Sequence, residues 1–221
     1  EAGLNQHIRE ACKQLWQFTS MKKYLLTGLF NALLLAGSMA VVAQPVAAPD
    51  LNIQRTAAEA GDSAAQFDMG NRYLSGDGVI ADEFEAARWF RKAADQDNNN
   101  AQYNLGVMYM TGKGVIADLN EAISWFRRAA ELGDPPAQFT LATLYANGKG
   151  VPQDPVQAHL WFTLAASSGD RAAAANLVLY QEMMSNEQVA ESQRLAAEWI
   201  EKFNNQRAAA ETDDNTAARV P

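Results

Sequence analysis

One feature constrains the fold of this chain more than any other: it matches itself at a fixed offset of 36 residues. Ala65-Gln66 returns as Ala101-Gln102 and Ala137-Gln138, Tyr73 as Tyr109 and Tyr145, and Trp89-Phe90 as Trp125-Phe126 and Trp161-Phe162. Gly76 and Gly78 return as Gly112 and Gly114 and again as Gly148 and Gly150, and Ala93-Ala94 as Ala129-Ala130 and Ala165-Ala166. Amphipathic patterning alone does not produce identities at such a spacing. A fixed period in this range marks a solenoid, in which copies of one supersecondary unit stack and bury a continuous core between them.

Each unit reads as two helices. The first, near 64–75 in repeat one, places Gln66, Met69, Gly70 and Tyr73 at the i, i+3, i+4, i+7 spacing of a buried stripe. Glycine follows where that helix must stop. The second starts at Asp82, Asp118 and Asp154, with Glu85, Glu121 and Gln157 three residues on and Pro155 at the first helical position of the third copy. These are capping-box arrangements, in which the acidic side chain takes up free N–H groups at the helix start. The second helix then buries Ala86, Phe90 and Ala93.

The pattern resembles the Sel-one-like repeat family, a 36-residue relative of the tetratricopeptide repeat, over about residues 60–202 with three units in register. Tetratricopeptide units have 34 residues and lack the paired-glycine loop. The resemblance implies an all-α fold, an α/α right-handed superhelical solenoid of helix-turn-helix repeats, and an adaptor role toward other proteins. The ends depart from the pattern. Residues 51–60 look like a truncated second helix, a fourth unit starts at Ala173 without the glycine loop, and Ser185 with Gln188 caps a final helix to about Lys202 in which Trp199 stands two places out of register. The solenoid with its caps is expected over 51–203, and a disordered tail, poor in large apolar residues, over 204–221.

Ahead of the repeats, MKKYLLTGLFNALLLAGSMAVVA from Met21 has two lysines, an apolar run and small residues at Val41 and Ala43. That is the pattern of a secretory signal peptide over 21–43, cut before Gln44, with 44–50 as a linker and 1–20 as an upstream extension. Export to the periplasm or beyond follows; an uncleaved inner-membrane anchor with 1–20 in the cytoplasm is the rival reading. Removal of residues 1–43 leaves 14 basic against 24 acidic residues, a net charge of −10. Such acidity disfavours nucleic acid and anionic membrane surfaces as partners. The only cysteine, Cys12, lies upstream of the signal, so the exported chain has no disulfide and no thiol nucleophile.

No motif calls for a catalytic residue, a cofactor or a metal. Gly112-Lys113-Gly114 superficially resembles a phosphate-cradling loop, but a nucleotide P-loop needs Ser or Thr after its lysine and a strand before it. Here Val115 follows Gly114, a helix precedes the loop, and Asp77 replaces Lys113 in repeat one. Ser20-Met21-Lys22-Lys23 matches the S-x-x-K spacing only across the start of the signal. Some cysteine-rich relatives are associated with penicillin binding and weak β-lactamase activity, but their paired cysteines are missing here. The alternative function, a cell-wall peptide or β-lactam binding protein or weak hydrolase, rests on that resemblance. His159, the one histidine after the signal, has neither a second histidine nor a thiolate to share a metal with, and is expected half-exposed on its helix. Trp89, Trp125 and Trp161 recur at one position and are expected in the core between repeats.

Positions that repeat are explained by packing, so function is sought where repeats differ. On the first helices, the face opposite the core stripe carries Asn71, Arg72 and Ser75, then Val107, Met108 and Thr111, then Thr143, Leu144 and Asn147, and finally Leu179, Tyr180 and Met183. Arg72, Val107, Met108, Thr143, Leu144, Leu179, Tyr180 and Met183 are the candidate partner-binding residues, on the side that is concave in superhelical repeats. Packing of Met108, Leu144 and Tyr180 against neighbouring first helices is the competing account. The expectation is a monomeric exported scaffold that holds a partner peptide or helix in this groove.

Overall fold

The computed structural model describes residues 49–217, with side chains over 51–211. The extension, signal segment and linker read from residues 1–48 therefore lie outside the described residues. All regular structure among the described residues is helical: α1 (Pro49–Glu59), α2 (Ser63–Ser75), α3 (Glu83–Ala94), α4 (Asn99–Thr111), α5 (Leu119–Glu131), α6 (Pro135–Asn147), α7 (Pro155–Ser167), α8 (Arg171–Met183) and α9 (Asn186–Ala217). Each of α2, α4 and α6 packs against the helix that follows it, forming the hairpins of repeats one to three, and each hairpin packs on the next.

The boundaries follow from local chemistry. Asp82, Asp118 and Asp154 cap α3, α5 and α7, each carboxylate accepting two backbone N–H bonds. The reciprocal half of the capping box does not form. The N–H groups of the three aspartates donate instead to the carbonyls of Tyr73, Tyr109 and Tyr145, which closes each glycine loop onto the first helix. A second set of caps, Asp62, Asn98, Asp134 and Asp170, starts α2, α4, α6 and α8, each accepting from the N–H three residues on. Gly76, Gly112 and Gly148 end the first helices with φ between +63° and +75°, a conformation that costs glycine nothing.

The core is built of stacked phenylalanines and alanines. Phe90 and Phe126 are fully buried and Phe162 nearly so, and their rings lie 5.7 Å from those of Phe67, Tyr103 and Phe139 on the same hairpin. Gly70 and Gly106 give the rings room, since a β-carbon there would come within 2.5 and 2.7 Å of them. Gln66, Gln102 and Gln138 are buried, and each donates through Nε2 to the carbonyl of Ala58, Ala94 or Ala130 at the end of the preceding second helix. This bond fixes one hairpin to the next and accounts for the recurrence of Ala-Gln. Trp89, Trp125 and Trp161 are buried, as their recurrence predicts.

The C-terminal end differs from expectation. Helix α9 does not stop near Lys202 but continues to Ala217, so the expected disordered tail over 204–221 is corrected to helix as far as that residue. The stretch Arg207 to Glu211 consists of good helix formers with Arg207 and Glu211 3.9 Å apart at i, i+4. Helix α9 packs against α7 rather than along α8. This explains why α7 is apolar on nearly every side: Leu160 and Leu164 are buried where repeat two has Ser124 and the exposed Arg128. Farther along α9, Trp199 stacks on Phe203 at 4.8 Å, and Phe203 approaches Gly133 so closely that a β-carbon there would lie 2.7 Å from the ring.

Candidate functional site

Along the first helices the residues of successive repeats form rows. Asn71, Val107, Thr143 and Leu179 make one row, and Ser75, Thr111, Asn147 and Met183 the next; all are exposed or half-buried. The polar members are partly occupied within their own helices: Ser75, Thr111 and Thr143 donate their hydroxyls to carbonyls of the preceding turn, and Asn147 donates its amide to Thr143. From Asn71 and Ser75 to Leu179 and Met183 the surface grades from polar to apolar.

The adjoining row is corrected by the structure. Met108 and Leu144 are 3% and 4% exposed and belong to the core, because their side chains turn toward the neighbouring hairpin. Tyr180 is half-buried, with its ring 5.7 Å from that of Phe162. Arg72 is engaged by Asp77 at 2.9 Å in its own glycine loop. Of the eight predicted residues, Val107, Thr143 and Leu179 in one row and Met183 in the next therefore remain accessible, and the other four serve the scaffold.

Leu179 and Met183 stand out because no helix covers α8 on that side. In repeats one and two the glycine at the position of Val178, Gly70 or Gly106, meets the phenylalanine of its own second helix. In the fourth unit α9 has left for α7. Val178 is consequently 57% exposed, and with Leu179 and Met183, 58% and 71% exposed at positions that are accessible or half-buried in every repeat, it forms an apolar cluster at one end of the row.

His159 lies elsewhere than expected. It is 2% exposed rather than half-exposed, and its Nδ1 is 2.6 Å from the hydroxyl of Ser192 on α9, itself fully buried. A serine bonded to a histidine invites comparison with a nucleophile and its base. Here neither group reaches solvent, and the second ring nitrogen, Nε2, has no partner to orient it. The pair is a buried tie between α7 and α9. Sequence reasoning missed it because the two residues are 33 apart and only the folding-back of α9 unites them.

Burial holds the imidazole below its ordinary value of 6.5. The unfolded chain binds a proton at a pH where the native one does not, so stability falls as pH drops from 6.5 toward the lower native value. Asp134, raised by burial, acts with the opposite sign nearer the carboxylate range. Thermal melts between about pH 7.5 and 5 are expected to show this decline in the wild type and a flatter profile in His159→Ile, the residue repeat two carries there as Ile123. Equal slopes would assign the pH dependence to other groups.

The glycine loops end the first helices and pack against neighbouring elements. Lys113 and Lys149 are exposed turn residues, and the loop geometry is accounted for by helix termination and close packing. Among the described residues no group of three or more His, Cys, Asp or Glu is placed to hold a metal ion, and no helix is long and apolar enough to cross a membrane.

Comparison with known proteins agrees with this architecture. No curated protein matches the chain. A Sel1 repeat protein from Oxalobacter formigenes is similar at 42% identity over 58% of this chain and 96% of its own, with a TM-score of 0.56. A protective antigen present in uropathogenic Escherichia coli strains, displaying an SLR fold, is similar at 36% identity over 71% of this chain, with a TM-score of 0.59; the chain spans 33% of that protein. The Sel1 repeat family model matches residues 63–98, 99–134 and 135–170, the three hairpins each taken from the first residue of a first helix to the N-cap of the next. The chain belongs to the Sel1 repeat family.

Proposed function

We propose that this protein is a non-catalytic, exported scaffold of the bacterial cell envelope that binds a peptide or helix of a partner along the first-helix row, with Leu179 and Met183 as apolar anchors. Sel1 repeat proteins are in general protein-interaction scaffolds, and that coarse role needs no reactive centre. The observation that carries the finer reading is the uncovered side of α8. Val178, on the side that receives the second helix in repeats one and two, is bare here and lies beside the exposed Leu179 and Met183, an apolar surface suited to helix-in-groove recognition. Export and envelope location rest on the signal-like segment at 21–43, and the likeness to a protective antigen supports exposure to the outside of the cell.

The test is Leu179→Asp with Met183→Asp. Both residues are exposed, so the double variant is expected to retain its melting behaviour to within about 1 kcal/mol. It is also expected to lose partners that wild-type protein captures by crosslinking in cells. Unfolding of the variant would make these residues core, and unchanged crosslinks would move the binding surface elsewhere.

A further inference from the structure

The second helices carry a different surface. Arg88, Arg91 and Lys92 on α3 and Arg127 and Arg128 on α5 give five of the 14 cations that follow residue 43 to two short helices, in a segment whose net charge is −10. All five are exposed. Arg88 pairs with Glu85, but among the described residues Arg91, Lys92, Arg127 and Arg128 have no ion-pair partner. They rest on aromatic groups instead. Lys92 Nζ lies 3.9 Å from the centre of the Trp89 ring, and Arg128 lies 4.9 Å from that of Trp125. Arg91 sits over Tyr109 and Trp125 and donates to the Tyr109 hydroxyl, while Arg127 donates to that of Tyr145 at 3.0 Å.

These contacts hold the guanidinium groups in place; Arg128 also shares a pocket with Asp95, Asp97 and Glu131, which leaves Arg91 and Lys92 as the better exposed charges. Ordered, uncompensated arginines favour carboxylates, because the fork is already oriented and little side-chain entropy is left to lose. Phe84 (70% exposed), Ala87 and Val115 line the same groove as Arg88, Arg91 and Lys92, with Asp95 at one end. The strip stops at repeat three, where Thr163 and Leu164 replace the arginine pair and α9 covers the helix.

The geometry points to a second docking surface on α3 and α5 for an acidic segment of another protein. An apolar side chain of that segment lies against Phe84 and Val115, and its carboxylates reach Arg91 and Lys92. The surface is separate from the first-helix row, so either can fail without the other. Charge complementarity in an acidic scaffold gives selectivity: most of the protein repels such a segment, and this groove accepts it.

Selection of random twelve-residue peptides on the immobilised protein tests it. Sequences rich in Asp and Glu with an interspersed aromatic or leucine are expected, and the strongest should bind about tenfold more weakly to Arg88→Glu/Lys92→Glu and to Phe84→Ala. Both variants spare the contact of Arg91 with Tyr109 and change exposed side chains, giving up only the Arg88–Glu85 pair and the Lys92–Trp89 contact, so the fold is expected to be retained, and melting curves check it. Binding should weaken with salt and survive Leu179→Asp/Met183→Asp. Selected peptides without acidic character, acidic peptides indifferent to the charge reversal, or a thymidine oligonucleotide that competes equally well would each overturn the assignment.

Discussion

Trp125→Ala is expected to destabilise the protein by about 3–5 kcal/mol, the range for deleting a buried aromatic side chain. The indole is 5% exposed and belongs to the core cluster that holds Ala86, Phe90 and Ala94 of repeat one, whereas its neighbour Phe126 belongs to the cluster of repeats two to four. It therefore belongs to the interface between hairpins rather than to one hairpin. In a chain of this length about 2–4 °C is lost per kcal/mol, so the midpoint should fall by about 6–20 °C. The shape of the transition should change as well. Solenoid stability is a sum of unit and nearest-neighbour terms, and weakening this interface uncouples repeat one from the larger cluster of repeats two to four that α9 completes. Fluorescence and circular dichroism transitions should then separate, where those of the wild type are expected to coincide. Trp125→Phe should cost much less, because the indole N–H has no hydrogen-bond partner to lose. A loss below about 1 kcal/mol for the alanine variant would place the ring outside the core.

The repeat was legible because packing writes itself at the same position every 36 residues. Helix starts at Asp82, Asp118 and Asp154, stops at the glycines, and burial of the three tryptophans all followed from identities between copies. The Asp62, Asn98, Asp134 and Asp170 caps carry the same signal, and so do the arginine-to-tyrosine contacts, which recur with their partners 18 residues apart. What escaped was whatever happens once. The course of α9, the buried His159–Ser192 tie and the bare side of α8 have no second copy to compare with. One clue was present: α7 has leucines where its sister α5 has Ser124 and Arg128, and an all-round apolar helix needs a cover. The row of Met108 and Leu144 was misjudged for a narrower reason. One residue on a helix turns the side chain by 100°, and here that step separates Val107, half-exposed, from Met108, buried.

The paired glycines of the loops look equivalent in the sequence, yet their substitutions should differ. Gly112→Ala places a methyl group at a φ of +74° with its nearest neighbour, the Ala117 β-carbon, 3.3 Å away. Only the left-handed backbone penalty applies in full, about 1–2 kcal/mol. Gly114 has φ +65°, but a β-carbon there would lie 2.1 Å from the carbonyl oxygen of Glu83, the first residue of α3 in the preceding repeat. Backbone cannot step aside as a side chain can. The loop must lift away from α3, which adds an overpacking cost of about 1–3 kcal/mol to the conformational one. Gly114→Ala is thus expected to lose about 2–5 kcal/mol in urea unfolding, well beyond Gly112→Ala measured alongside. Equal losses would mean that the second glycine serves only the turn; the larger loss makes it the point where one repeat rests on the next. The stretch Gly112-Lys113-Gly114 then divides its work, the first glycine ending α4 and the second seating the loop on α3, while Lys113 between them stays in solvent.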